Sequence, residues 1–243
     1  MYYFTKMAEI YSIDGNIGSG KSRLIQELQK QNAFDSNIVF IPEPVKIWNE
    51  IKDERGITII ENFYKNKSKW AFSFQIMAYI SRLAQLKKYI RENPTSILIT
   101  ERCTYTDRFV FAQMLHDDDL IGDIDMKIYL MWFDEFMKDI PIKGFIYVKT
   151  KPHKCFERVK KRNRKGEQIP VEYLEKCHIY HQNWLIDEKN VLILDGNQEY
   201  QEDNKLINDW VAKIKDFIQE KRERVPSDET YPSGIHAESV PIF

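Results

Sequence analysis

The residues with the plainest chemistry lie near the start of the chain, in IDGNIGSGKS. The string GNIGSGKS fits G-x-x-x-x-G-K-[ST], a loop whose backbone amides cradle phosphates. Gly15, Gly18 and Gly20 let the backbone curl so that amides turn inward. Asn16, Ile17 and Ser19 fill the rest of the loop. Lys21 would reach the outer phosphates and Ser22 would coordinate Mg²⁺. A helix opening near Gly20 would add its positive end. The expected ligand is a nucleoside triphosphate. Hydrolysis, switching and transfer all fit such a loop.

Two acids and an arginine suggest where the phosphate goes. FIPEPV holds Glu43 between two prolines that restrict its backbone. A carboxylate there would serve as a general base for an attacking hydroxyl, and would repel an acceptor already carrying phosphate. A neutral alcohol is therefore favoured over a nucleoside monophosphate. An exposed acid in a turn is the plainer reading of an isolated EP dipeptide. ITERCTYTDR places Glu101 and Arg102 side by side, so they must point apart. Glu101 suits the Mg²⁺ shell, and Arg102 suits a bridge between base and acceptor. An ER pair by itself is commonly structural. CFERVKKRNRKGEQIP carries Arg158, Lys160, Lys161, Arg162, Arg164 and Lys165. Read alone, it fits a localisation signal, a nucleic-acid patch or a solvated helix end. Cys177, His178 and His181 form C-H-x-x-H, which reads as a helix face rather than a zinc site.

These residues need a scaffold. Five β-rich runs, EIYSID, NIVFIPE, SILITE, GFIYVKT and NVLILD, are separated by amphipathic stretches. That alternation predicts an α/β fold with a five-stranded parallel sheet and helices on both faces. Ligands then gather at the carboxyl ends of strands, where the loop, Glu43 and Glu101 all fall. The chain's 243 residues divide into one domain over 1–220 and a flexible polar tail over 221–243. A net charge of -1 argues against a broad nucleic-acid surface. Three widely spaced cysteines suit a reducing compartment, and the N-terminal residues read as neither signal nor transit peptide. No apolar run approaches the roughly 18 residues of a membrane span. A cytoplasmic protein without membrane or nucleic-acid partners is expected.

Taken together, GNIGSGKS, EPV with Trp48 following, WAFSFQ, ERCTYTDR, the RxR stretch and IPVEYLEKCH stand in a familiar order and spacing. They resemble the deoxyribonucleoside kinase family, which includes deoxycytidine, deoxyguanosine and deoxyadenosine kinases. The resemblance covers about residues 9 to 220. It implies a P-loop kinase with a basic lid, ATP as phosphoryl donor, Mg²⁺ as cofactor and a homodimer. It implies that Glu43 takes the proton of the deoxyribose 5′-hydroxyl and that Arg102 steadies the hydroxyl. Tyr64 and Glu167 would meet the 3′-hydroxyl and Gln75 the base edge. Phe74 and Phe111 would pack on the base, and Trp48 would close the pocket. Ordinary core is the competing reading of these aromatics. Arg162 and Arg164 match the lid arginines over the transferring phosphoryl, and Arg158 matches a residue near the donor adenine. The loop containing Asp195, Gly196 and Asn197 matches the adenine contact.

In that family an arginine and an aspartate at Arg82 and Asp107 accompany deoxycytidine and purine deoxynucleoside kinases. The pair would crowd a thymine methyl, while Ala78 leaves space nearby. Poor thymidine use is expected, with purine deoxynucleosides slightly ahead of deoxycytidine. Three other classes compete. A nucleoside monophosphate kinase would place arginines rather than Glu43 at the acceptor. A phosphate-loop switch would need N-K-x-D, which is absent. A non-catalytic structural relative would be free to lose the residues that are all present here.

Overall fold

A computed structural model describes residues 8–30, 37–164, 167–198 and 205–223. Five strands form one parallel sheet in the order β2-β3-β1-β4-β5: β1 (Glu9–Asp14), β2 (Ile38–Ile41), β3 (Ile97–Glu101), β4 (Ile142–Lys149) and β5 (Val191–Asp195). The third strand pairs directly with the first, with Ile13 opposite Glu101. That pairing sets the exit of β3 beside the start of the phosphate loop.

The three central strands, β3, β1 and β4, have two buried faces because alternate residues feed two cores. Tyr11, Ile13, Ile99, Ile146 and Val148 face α1 (Lys21–Lys30) and α10 (Lys205–Glu223). The α10 residues Ile207, Trp210, Val211, Ile214, Phe217 and Ile218 recur at helical spacing and form one apolar stripe. Ile10, Leu98, Phe145 and Tyr147 face the other core, shared with α4 (Lys67–Glu92) and α7 (Asp123–Met137). The predicted α/β class and five-stranded sheet are therefore what the chain adopts.

Shorter elements shape the site. α2 (Val45–Glu50) follows the second proline of FIPEPV. α3 (Ile59–Lys65) starts at a capping box, in which the Thr58 side chain and Glu61 satisfy each other's backbone N–H groups. Beyond β3 lie α5 (Thr104–Thr106), a π-helical segment (Asp107–Ala112) and α6 (Gln113–Asp117). α8 (Pro152–Arg162) carries proline in its first turn and stops at Asn163, a residue with left-handed backbone. α9 (Val171–Leu185) completes that side.

No helix among the described residues is long and apolar enough to cross a membrane. Helix α10 runs to Glu223, three residues into the segment expected as tail, and residues 224–243 lie outside the described residues. Lys165 of the basic stretch also lies outside them.

In the C-H-x-x-H string, Cys177 and His181 are buried in the helix packing, and among the described residues no group of three or more His, Cys, Asp or Glu could hold a metal. His181 lies flat against Tyr147, and its Nδ1 sits 2.6 Å from the Cys177 carbonyl. Burial lowers its pKa from 6.5 to about 3, so it is neutral in the fold. The unfolded chain binds that proton near pH 6.5. The stability linked to His181 is thus complete above pH 6.5 and is lost as pH falls toward 3. Unfolding free energies from denaturant titrations at pH 7 to pH 4 should fall by up to about 1.4 kcal/mol per pH unit more in wild type than in His181→Gln. Parallel curves would remove His181 as the source.

Candidate active site

The phosphate loop is built as its glycines predict. Gly15 has φ 144° and a Cβ there would lie 2.6 Å from the Val148 carbonyl oxygen. Gly18 has φ 80° and a Cβ there would lie 2.5 Å from the Cys155 carbonyl oxygen. Both positions demand glycine for conformation and for space. Asn16 anchors the loop, its Nδ2 donating to the Leu174 carbonyl of α9 at 2.8 Å. Lys21 folds back under the loop and donates to the Gly15 and Asn16 carbonyls at 2.9 and 2.7 Å. Burial, and then the Arg102 charge, pull its pKa down to about 7. A polyanion in the loop would reverse that shift by supplying the missing negative charge. Ser22 Oγ donates to Glu101 Oε1 at 2.5 Å, which brings together the two residues expected at a metal ion.

A cavity of 1380 Å³ opens from the loop across the carboxyl ends of the strands. Glu43 stands on its wall with its side chain 14 % exposed. Arg102 Nη1 donates to Glu43 Oε1 at 2.8 Å, and Arg82 Nη2 donates to the same oxygen at 3.1 Å. Burial alone would raise the Glu43 pKa. The charges of Arg102, Arg82 and Lys21 outweigh it and hold the carboxyl at about 2. Glu43 is therefore ionised at any working pH.

Arg82 does more than the expected pairing. Its Nε donates to Asp107 Oδ2 at 2.9 Å, Nη1 to the Glu101 carbonyl at 3.1 Å, and Nη2 to both Glu43 and Asp107. One guanidinium thus joins the candidate base, the end of β3 and the candidate base-reading aspartate. Arg102 has φ 60°, an uncommon left-handed backbone for a residue with a Cβ. Its backbone N–H still donates to the Ile13 carbonyl at 3.0 Å, continuing the sheet ladder. The turn separates the two neighbours as expected: Glu101 faces Ser22 while Arg102 faces Glu43 and caps the Phe111 ring.

The aromatic wall is also assembled. Trp48 meets Phe74 edge-on at 6.0 Å and donates its Nε1–H to Ser81. Phe74 stacks on Phe63 at 4.5 Å. Ala78 and Tyr64 line the same cavity. Gln75 is buried with Oε1 lacking a protein partner, an arrangement that favours a ligand donor at that point. On the opposite side, Arg162 Nη2 pairs with Glu167 Oε2 at 2.5 Å, and Arg164 lines the rim. Tyr173 and Ile60 also line the cavity. Sequence reasoning named neither. Tyr173 lies inside the quoted IPVEYLEKCH, whose helical period was the available clue.

Asp195, Gly196 and Asn197, expected at the donor adenine, are not among the residues that line this cavity. Arg158 bridges them to the phosphate loop, donating to the Ser19 carbonyl at 3.2 Å and the Gly196 carbonyl at 2.9 Å. Residues 199–204 of this loop lie outside the described residues. Cys103 is buried and its thiol is pushed up to about 12 by burial, so it packs as a small side chain.

The arrangement combines a phosphate cradle, a fully ionised carboxylate beside it, and an aromatic slot ending in an unsatisfied amide. That set can hold a phosphoryl donor and an uncharged, ring-bearing alcohol at once. The chain matches the family described as deoxynucleoside kinase over residues 11–219. It is 33 % identical to deoxycytidine kinase 1 of Xenopus laevis over 240 residues, covering 85 % of this chain and 89 % of that protein. It is 33 % identical to a probable deoxycytidine kinase of fowlpox virus over 219 residues, covering 86 % and 88 %. It is 27 % identical to the mitochondrial deoxyguanosine kinase of Xenopus laevis over 237 residues, covering 85 % and 88 %. The chain therefore belongs to the deoxynucleoside kinase family and is an enzyme of that family.

Proposed function

We propose that this enzyme transfers the terminal phosphoryl group of ATP to the 5′-hydroxyl of deoxycytidine or a purine deoxynucleoside, and that thymidine is a poor acceptor. The observation that carries this reading is the position of Glu43. It sits in the cavity between the phosphate loop and the aromatic slot, with its charge fixed by two arginines.

Glu43 accepts a hydrogen bond from the 5′-hydroxyl and turns its oxygen toward the phosphorus. A carboxyl held at about 2 is a weak base. It suffices because a loose phosphoryl transition state asks for little proton transfer until late. Lys21 leaves its carbonyl partners for the β- and γ-phosphates. Arg162 and Arg164 supply charge on the open side, where negative charge spreads over the transferring oxygens. Arg102 holds Glu43 in place and meets the acceptor oxygen. Ser22 and Glu101 bring two hard oxygen ligands together and would hold Mg²⁺. An ion held there would neutralise phosphate charge. The base slides into the slot formed by Phe74, Phe111 and Trp48, with Gln75 pairing to its edge. Tyr64 and Glu167 line the same cavity, which supports their reading a 3′-hydroxyl.

Three free, buried cysteines support a reducing compartment, and we place the enzyme in the cytoplasm. The outer face of α7 exposes Ile124, Ile128, Met131 and Trp132 at helical spacing, and α4 exposes Ile80. Such a stripe supports a homodimer. Sedimentation should give twice the chain mass for wild type and a single chain mass for Met131→Glu. A monomeric wild type would reject this.

The test of the main reading is a kinetic panel of the four deoxynucleosides, their ribose analogues and the four deoxynucleoside monophosphates, each with ATP and Mg²⁺. Deoxycytidine and the purine deoxynucleosides should turn over well ahead of thymidine. Activity confined to monophosphates would replace this reading with a nucleoside monophosphate kinase.

A further inference from the structure

We propose that Asp14 and Thr106 form a positioning couple that fixes the phosphate loop against the segment carrying Arg102 and Asp107. The proposal rests on the function proposed above and adds residues that none of the expected roles includes.

The exit of β1 is tied to the exit of β3 at three consecutive residues. The Ile13 carbonyl accepts from the Arg102 backbone N–H at 3.0 Å. The Asp14 carboxylate accepts from the Thr106 hydroxyl. The Gly15 carbonyl accepts from Arg102 Nη2 at 3.4 Å. Only the middle tie joins two side chains, and it can be removed without touching Arg102. Thr106 directly precedes Asp107, the partner of Arg82, and Asp14 directly precedes Gly15, whose carbonyl holds Lys21. One hydrogen bond therefore spans the donor and acceptor halves of the site, 92 residues apart in sequence.

Asp14 is a poor choice for packing alone. Its side chain is fully buried, and Oδ2 has no protein partner. A buried carboxylate with one oxygen unsatisfied costs free energy that an apolar residue would not. Burial pushes its carboxyl upward, and the Ser12 and Thr106 hydroxyls with the Arg102 and Lys21 charges only oppose that push. Thr106 is held for its task, because the Cys103 N–H donates weakly to its Oγ1 at 3.5 Å. What the couple supplies is distance control. In-line transfer needs the acceptor oxygen and the phosphorus set to within a fraction of an ångström, and a misplacement of about 1 Å can cost about 10²-fold.

The experiment compares wild type with Asp14→Ala, which removes the acceptor, Thr106→Val, the double variant and Thr106→Ser. It measures kcat, KM for deoxynucleoside and for ATP, and the thermal midpoint. Each of the first two changes should lower kcat by about 10- to 100-fold while both KM values stay within about threefold. The double variant should match the worse single, since one shared bond is broken only once. Thr106→Ser keeps the hydroxyl and should retain kcat to within about threefold. A lowered thermal midpoint with unchanged kcat would make the couple a packing feature and overturn the proposal, as would losses that multiply in the double. If Asp14→Ala fails to fold, the contrast between Thr106→Val and Thr106→Ser decides alone. A wild type that phosphorylates no deoxynucleoside overturns the parent reading and this one with it. An active wild type with unaffected variants overturns only this one.

Discussion

Glu43→Gln is expected to lower kcat by about 10²-fold or more while nucleotide binding survives. The amide keeps an oxygen for Arg102 and Arg82, which donate at 2.8 and 3.1 Å, but it loses the charge. Two buried guanidiniums are then balanced by Asp107 and carbonyl groups, so stability should fall by about 1–3 kcal/mol. The loss in turnover should appear in kcat rather than in KM for ATP, because the loop's own contacts are untouched. The pH profile offers a second check. With its carboxyl held at about 2, Glu43 is ionised throughout the usable range. Any acid limb of kcat/KM between pH 5 and 8 should therefore persist in Glu43→Gln. Full activity in that variant would take Glu43 out of the mechanism.

The second large effect concerns Arg82 and Asp107. Arg82→Met alone should destabilise the protein by about 3–5 kcal/mol, because it strands the buried Asp107 carboxylate. Asp107→Ala alone should cost less, since Arg82 keeps Glu43 and the Glu101 carbonyl. The double change, Arg82→Met with Asp107→Ala, removes both charges and should be milder than Arg82→Met. It also empties polar groups from the slot that Ala78 borders. Thymidine kcat/KM should then rise by roughly 10- to 100-fold, while deoxycytidine and purine deoxynucleosides fall, because their unpaired exocyclic groups lose a partner. Arg82 also positions Glu43, so kcat for every acceptor should drop in Arg82→Met. Thermal midpoints and an acceptor panel check both parts. An unchanged preference for thymidine would separate this pair from base choice.

The legible part of the site was the part written in contiguous residues. The phosphate loop, Glu43 between its prolines and the ER pair each carry their chemistry within a few positions, and the strands that end at them were visible as apolar runs. The sheet followed from the same alternation, and the 1–3 pairing of strands placed all three at one edge of the cavity. The loop at residues 195–197 was recognisable as a segment, but its tie through Arg158 to the Ser19 carbonyl was not. No local pattern encodes where a long side chain will spend its donors.

The sequence by itself determined the class of protein, the phosphate cradle, the acid facing it and the order of the motifs, because backbone conformation and strand-end chemistry are set by neighbouring residues. Tertiary structure alone decided how charge is shared. Arg82 reaches Glu43 across 39 residues and Asp107 across 25, and Arg102 reaches Glu43 across 59. It also decided the left-handed turn at Arg102 and the π-helical segment at Asp107–Ala112, where the Gln113 N–H bonds back to Arg108. These features arise where buried groups must satisfy one another across the fold, and burial is a property of the packed molecule rather than of any stretch of chain.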